Sequence, residues 1–142
     1  MNSVITHRGT VYTWHCDHIG HMNNMWWYVG KFDEASWNLL ARIGITPSYL
    51  RKGDHGMAAM QQNINYKREL VAGDIVEVHS HLVGIGEKSI RFVHEMRNGE
   101  TNEIAATCEL TGVHLDRRLR KACEFGMDIR SAASRLLERQ VA

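Results

Sequence analysis

Eleven residues from Trp14 to Asn24 read WHCDHIGHMNN, and they hold three histidines, a cysteine, an aspartate and two asparagines. Side chains of these types act as general bases, nucleophiles and metal ligands. A metal site would draw on His15, Cys16, Asp17, His18 and His21. Neighbours on an extended segment point to opposite faces, however, and cannot converge on one ion. No second cluster such as Cys-x-x-Cys completes a tetrahedral set, so no metal is expected. The alternative is chemistry by the Asp17 carboxylate, as nucleophile or as general base. Aspartate is also common in turns, where its side chain caps nearby amides, and on the residues alone that reading stays open.

The rest of the chain must position this loop. At 142 residues it is the size of one domain, and residues 1–142 are expected to form a single one. Composition is ordinary for a globular protein, with 44% hydrophobic and 23% charged residues and a formal net charge of +1. That balance argues against nucleic acid as a partner. No apolar run is long enough to cross a bilayer, and the start MNSVITHRGT lacks the apolar core of a signal peptide. Cys16, Cys108 and Cys123 are odd in number and far apart, as free thiols in a reducing compartment would be. A cytoplasmic location is expected.

Residues 3–14 read as a strand entering the loop. From Asn24 to Ile43, apolar residues at Met25, Tyr28, Val29, Phe32, Leu39, Leu40 and Ile43 keep helical spacing. Asn23 or Asn24 suits the N-cap, and Gly44 with Pro47 beyond it suits the stop. Trp26, Trp27, Ala35, Trp37 and Ala41 spread apolar character around this helix, which therefore needs covering. After residue 56 the period falls to two. Alternation runs through Met60–Tyr66, Val76–Leu82, Ile90–Met96 and Ile104–Leu110. RNGE at 97–100 signals an Asn-Gly hairpin, and GIGEKS at 84–89 a looser turn. Ile129, Ala132, Ala133, Leu136 and Leu137 mark an amphipathic helix for the surface or for a partner. The class is α+β: an antiparallel sheet curled around one long helix, the hot-dog fold, with an added C-terminal helix.

The segment WHCDHIGHMNNMWWYVGKFDEA resembles the acyl-CoA thioesterases related to 4-hydroxybenzoyl-CoA thioesterase. Their first strand ends in an Asp-x-Asp-x-x-Gly-His-x-Asn-Asn pattern. Here its second aspartate is Asp17, followed by Gly20, His21, Asn23 and Asn24, while His15 replaces the first. The resemblance spans roughly residues 5 to 115. It implies thioester hydrolysis by Asp17, supported by His21, Asn23 and Asn24, and a fold paired into homodimers or homotetramers. It further implies that residues 56–66 of one copy complete the pocket at Asp17 of the other.

Amides at the start of the helix would hold the oxyanion, because they lack internal partners and the helix dipole favours negative charge there. Gly20 would let the loop turn tightly against substrate. Tyr12, Trp14, Trp26, Trp27, Tyr28 and Trp37 flank the loop, and core packing accounts for most of them. Trp14, Trp27 and Tyr28 are the expected pocket wall, for an aromatic, short-chain or quaternary-ammonium acyl group. Glu34 is a spare catalytic carboxylate on the helix. Coenzyme A would enter as part of the substrate, with no separate cofactor. Its phosphates would meet some of Lys67, Arg68, Lys88, Arg91, Arg117, Arg118, Arg120 and Lys121. The alternatives are a non-catalytic acyl-CoA-binding or sensing module and a dehydratase. The dehydratase would want a histidine on the helix, and none follows Asn24 there.

Overall fold

The computed structural model describes residues 2–142, with the side chains of Asn24 and Met25 outside that description. Strand β1 (Val4–Thr10) leads through a 3-10 turn (Thr13–His15) into the loop. The central helix opens with a wide turn over Asn24–Tyr28 and continues as α1 (Val29–Ala41). A short helix α2 (Pro47–Arg51) precedes β2 (His55–Tyr66), β3 (Ile75–Ile85), β4 (Ser89–Asn98) and β5 (Ile104–Asp116). A two-residue strand β6 (Lys121–Ala122) and helix α3 (Met127–Val141) end the chain. The sheet is antiparallel in the order β1-β3-β4-β5-β2, with β6 on β5, and it curls around α1. This is the expected hot-dog arrangement. Among the described residues, no helix is long and apolar enough to cross a membrane.

The first strand ends at Thr10, earlier than its sequence suggests, because residues 12–16 turn back on themselves. His15 N–H donates to Tyr12 O, and Tyr12 N–H donates to His15 Nδ1 rather than to a neighbouring strand. At the other end of α1, Gly44 takes a φ of +95° that strains other residues. Thr46 then caps α2 through Tyr49 N–H, with Pro47 at the first helical position. The Asn-Gly turn also differs from a tight hairpin. Asn98 Oδ1 accepts from the amides of Glu100 and Thr101, and Asn102 supplies the positive φ. Gly99 serves a close approach instead: a Cβ there would lie 2.7 Å from Ile75 Cγ2.

Two apolar clusters fill the concave side. One gathers Met22, Tyr28, Phe32, Val76, Val78, Met96 and Cys108 around the first half of the central helix. The other joins Leu39, Ile43, Leu82, Ile90 and Phe92 to Ile129, Ala133 and Leu136 of α3. The tail helix thus belongs to the core of its own chain. Gln140 locks it there: Leu82 N–H donates to Oε1 and Nε2 donates to Leu82 O, so a side-chain amide continues the ladder past Val4, the first residue of β1.

Between the clusters lies a buried polar chain. Ser36 on α1 donates to Phe32 O, which leaves its oxygen to accept from His94 Nε2–H. Ser80 donates to His94 Nδ1, and Thr6 bonds the Ser80 hydroxyl at 2.6 Å. Every polar atom of the imidazole is satisfied in the neutral form. Burial pushes its pKa down to about 3 from the ordinary 6.5. His94 therefore contributes stability that is complete above pH 6.5 and is lost as pH falls from 6.5 toward 3, because only the unfolded chain takes up the proton there. Urea titrations should show about 2 kcal/mol lost through this residue between pH 7 and pH 5. A His94→Gln chain, weaker at pH 7, should lack that share of the slope; equal slopes for both would refute the assignment.

Candidate active site

The loop closes as a small hairpin. Asn23 N–H donates to His15 O, Cys16 bridges Met22, and Asp17 N–H donates to His21 O. Gly20 turns the tip with φ +95°, its amide donating to Asp17 O. The expected role of Gly20 as the turn residue has its geometric basis here, since no side chain is needed and none fits that φ without strain. Met22 anchors the second leg, fully buried and donating its N–H to Leu70 O at 2.7 Å. Two residues later the helix begins.

Asp17 is half-buried, and its Oδ1 accepts from Ile19 N–H at 3.0 Å. The carboxylate thus does cap the turn, and its second oxygen remains for other work. His21 lies across from it, with Nδ1 3.5 Å from Met22 O. Asn23 is the N-cap, and its Oδ1 accepts from Trp26 N–H. The Asn24 side chain lies outside the described residues.

The expected aromatic wall divides in three. Trp14 is exposed and stacks on Tyr12 at 4.5 Å. Trp27 packs on the buried His15 ring at 4.0 Å. Burial and, less strongly, the Lys31 ammonium lower the pKa of that ring, with Glu34 opposing the shift. Tyr28 is in the core, its hydroxyl donating to Arg68 O and its pKa pushed up to about 12 by burial. Glu34 faces β1 and pairs with His7 Nδ1 at 2.7 Å.

A cavity of about 660 Å³ lies between α1 and β2. Trp26, Gly30, Asp33 and Trp37 line its helix side, and Met57 and Gln62 its strand side. Neither Asp17 nor His21 is among its lining residues. Reasoning from sequence passed over Gly30 and Asp33. Their i, i+4, i+7, i+11 spacing with the two tryptophans was the available signal, because it places four residues on one stripe of a helix. Arg117 closes the far end, the one member of the expected basic set that reaches this cavity.

One potential metal-ligand group occurs among the described residues: His55, His114 and Cys123, with ligand atoms within 4.8 Å. It is remote from the loop histidines. The His55 and His114 rings stack at 4.8 Å and 17°. An ion lies in the plane of each imidazole it binds, so near-parallel rings do not share one. His114 is moreover occupied on both sides, by the Tyr49 hydroxyl and by Cys123 O.

Comparison with known proteins agrees with this architecture. The model of the thioesterase-like superfamily matches residues 11–133. An L-carnitine dehydrogenase/betainyl-CoA thioesterase of Agrobacterium fabrum is 31% identical over 100 residues, covering 70% of this chain and 20% of that protein. The chain thus spans about a fifth of the curated relatives it matches. A Thermus thermophilus thioesterase complexed with coenzyme A and Zn superposes with a TM-score of 0.80 at 25% identity, over 95% of both chains. The DHNA-CoA thioesterase of Staphylococcus aureus gives 0.86 at 18% identity, over 97% of this chain and 93% of that one. With the hairpin, the helix start and the curled hot-dog sheet in place, this chain belongs to the thioesterase-like superfamily.

Proposed function

We propose that the chain hydrolyses an acyl-CoA thioester to a free acid and coenzyme A, with Asp17 as nucleophile or general base. The observation that supports this reading is the 16–22 hairpin, which carries Asp17 and ends two residues before the central helix, in a fold of the thioesterase-like superfamily. In the general-base route, Asp17 takes a proton from water as it adds to the thioester carbonyl. The oxyanion rests on helix amides, then collapses and breaks the C–S bond, and the departing thiolate takes the proton held by Asp17. In the nucleophilic route, the carboxylate adds to the carbonyl and the C–S bond breaks as the thiolate leaves. Water then cleaves the resulting anhydride, freeing the acid and the carboxylate and supplying the proton that the thiolate takes up. The bound coenzyme A of the Thermus relative supports the leaving half of the substrate.

For the acyl half, the betainyl-CoA thioesterase name of the Agrobacterium relative favours a quaternary-ammonium acyl group over the aromatic and short aliphatic ones. Free thiols at Cys16, Cys108 and Cys123 suit a cytoplasmic setting.

Strand β2 supports a shared site. It pairs with β5 on one side only, ends the sheet, and leaves Met60 70% exposed. A long unpaired edge is a template for another chain. A second copy docked there would bring its residues 56–66 toward Asp17, which stands outside its own chain's large cavity. Light scattering at assay concentration should return a dimer or tetramer. A monomer that still turns over substrate would end the shared-site reading.

Asp17→Asn separates chemistry from structure, because an asparagine oxygen can still accept from Ile19 N–H and hold the hairpin. We expect kcat for acyl-CoA to fall roughly a hundred- to ten-thousand-fold, the usual span for a lost acid–base group, with KM little changed. A variant within threefold of wild type would remove Asp17 from the mechanism. Tight acyl-CoA binding without turnover in the wild type would indicate the sensing module instead.

A further inference from the structure

Gly30 has no structural reason to be glycine. It sits inside a helix, where glycine is less stable than alanine. Its φ is not in the left-handed region, and a Cβ there would meet nothing within 4 Å. What it faces is the large cavity.

Trp26, Asp33 and Trp37 lie on the same stripe, one turn above and one and two turns below. Both indoles are left in the open, Trp26 at 72% and Trp37 at 49% exposure, although helix tryptophans normally seek the core. Asp33 is exposed and, among the described residues, has no ion-pair partner. The missing Cβ therefore opens a notch bounded by two aromatic faces and a carboxylate.

We propose that this notch is the head-group subsite for an acyl chain ending in a quaternary ammonium, with Trp26, Gly30, Asp33 and Trp37 setting specificity. The inference rests on the acyl-CoA reading above and refines its substrate class. A trimethylammonium group has no N–H to donate. It is recognised by aromatic faces and by a diffuse opposite charge, and that is what the notch offers. A neutral branched acyl group of the same shape would be buried against an unpaired carboxylate, which must lose water without compensation. An aromatic acyl group could stack on one indole, yet it would meet the same uncompensated charge.

The test compares betainyl-CoA with its carbon isostere, tert-butylacetyl-CoA, and the same pair lengthened by two methylenes. These substrates share shape and differ in charge, so the cationic-to-neutral ratio of kcat/KM isolates the head group. In at least one pair, the wild type should favour the cation by roughly tenfold or more. Asp33→Asn and Trp37→Ala should each move that ratio toward one. Gly30→Leu should melt no lower than wild type and lose the cationic substrates.

Turnover of both members with a wild-type ratio near or below one overturns the notch and leaves the thioesterase reading standing. A ratio preserved in Asp33→Asn and Trp37→Ala overturns it too. So does equal loss of both substrates in Asp33→Asn, which would mark Asp33 as a reacting carboxylate. Absence of turnover with every acyl-CoA overturns the acyl-CoA reading itself. The wild-type ratio does not depend on any variant folding.

Discussion

Asn23 joins the two halves of the site. Its amide donates to His15 O, which closes the hairpin that carries Asp17, and its side chain accepts from Trp26 N–H, which opens the helix. A helix start has more donors than it can satisfy, and these point at whatever lies before it. One residue that ends the hairpin and caps the helix fixes the direction of those donors relative to the carboxylate. The buried Met22, bonded through its amide to Leu70 O, keeps that junction from shifting along the sheet. Without such an anchor, a five-residue polar loop would have many conformations and no defined geometry for reaction.

The helix that follows serves three different neighbours. Phe32, Ala35 and Leu39 pack into the sheet, which explains why the helix is buried at all. Ser36 on the same side adds the contact to His94, and a fully satisfied polar chain there fixes one packing of helix on sheet where apolar contacts alone would allow several. The stripe of Trp26, Gly30, Asp33 and Trp37 faces outward, toward the cavity and the free edge of β2. The helix start that Asn23 caps and the stripe that lines the cavity thus sit on different parts of one element, its N-terminus and its flank.

The fold was legible in the sequence because its signals are periodic. Alternation in four strands and helical spacing from Asn24 to Ile43 both survive in the structure, within a few residues at their ends. The loop was legible because so many polar types in one short run must be either solvated or used. What the sequence hid are choices made by tertiary contact. RNGE reads as a tight hairpin, yet Gly99 is consumed by its approach to Ile75 and Asn102 takes the turn. Sequence singles out Trp14, Trp27 and Tyr28 as the pocket wall, but adjacent residues on a helix point about 100° apart. Trp26 therefore reaches the cavity while Trp27 covers His15, and Tyr28 turns into the core. The tail helix looked like a surface or partner element because its stripe gives no address, and only the Gln140 clamp on Leu82 shows where it docks.

The flank opposite the cavity explains why the opening lies where it does. Toward β1, the helix is fastened by polar contacts at close range. Glu34 pairs with His7, Asn38 donates to Thr6 O at 2.7 Å, and Lys31 is folded in at 6% exposure. Gly9 makes this possible, since a Cβ there would stand 3.0 Å from His7 Nε2 and 3.4 Å from Lys31 Nζ. Burial lowers the pKa of both Lys31 and His7, with Glu34 opposing the shift. Polar groups brought this close to an edge strand hold distance and register more tightly than apolar packing would, because each has a preferred direction. The helix is therefore pinned against β1 and stands away from β2. The space left on the unpinned side is the cavity, and it opens at the sheet edge, where β2 pairs on one side only. One asymmetry in how a single helix is fastened thus sets where the cavity lies and which edge of the sheet it opens on.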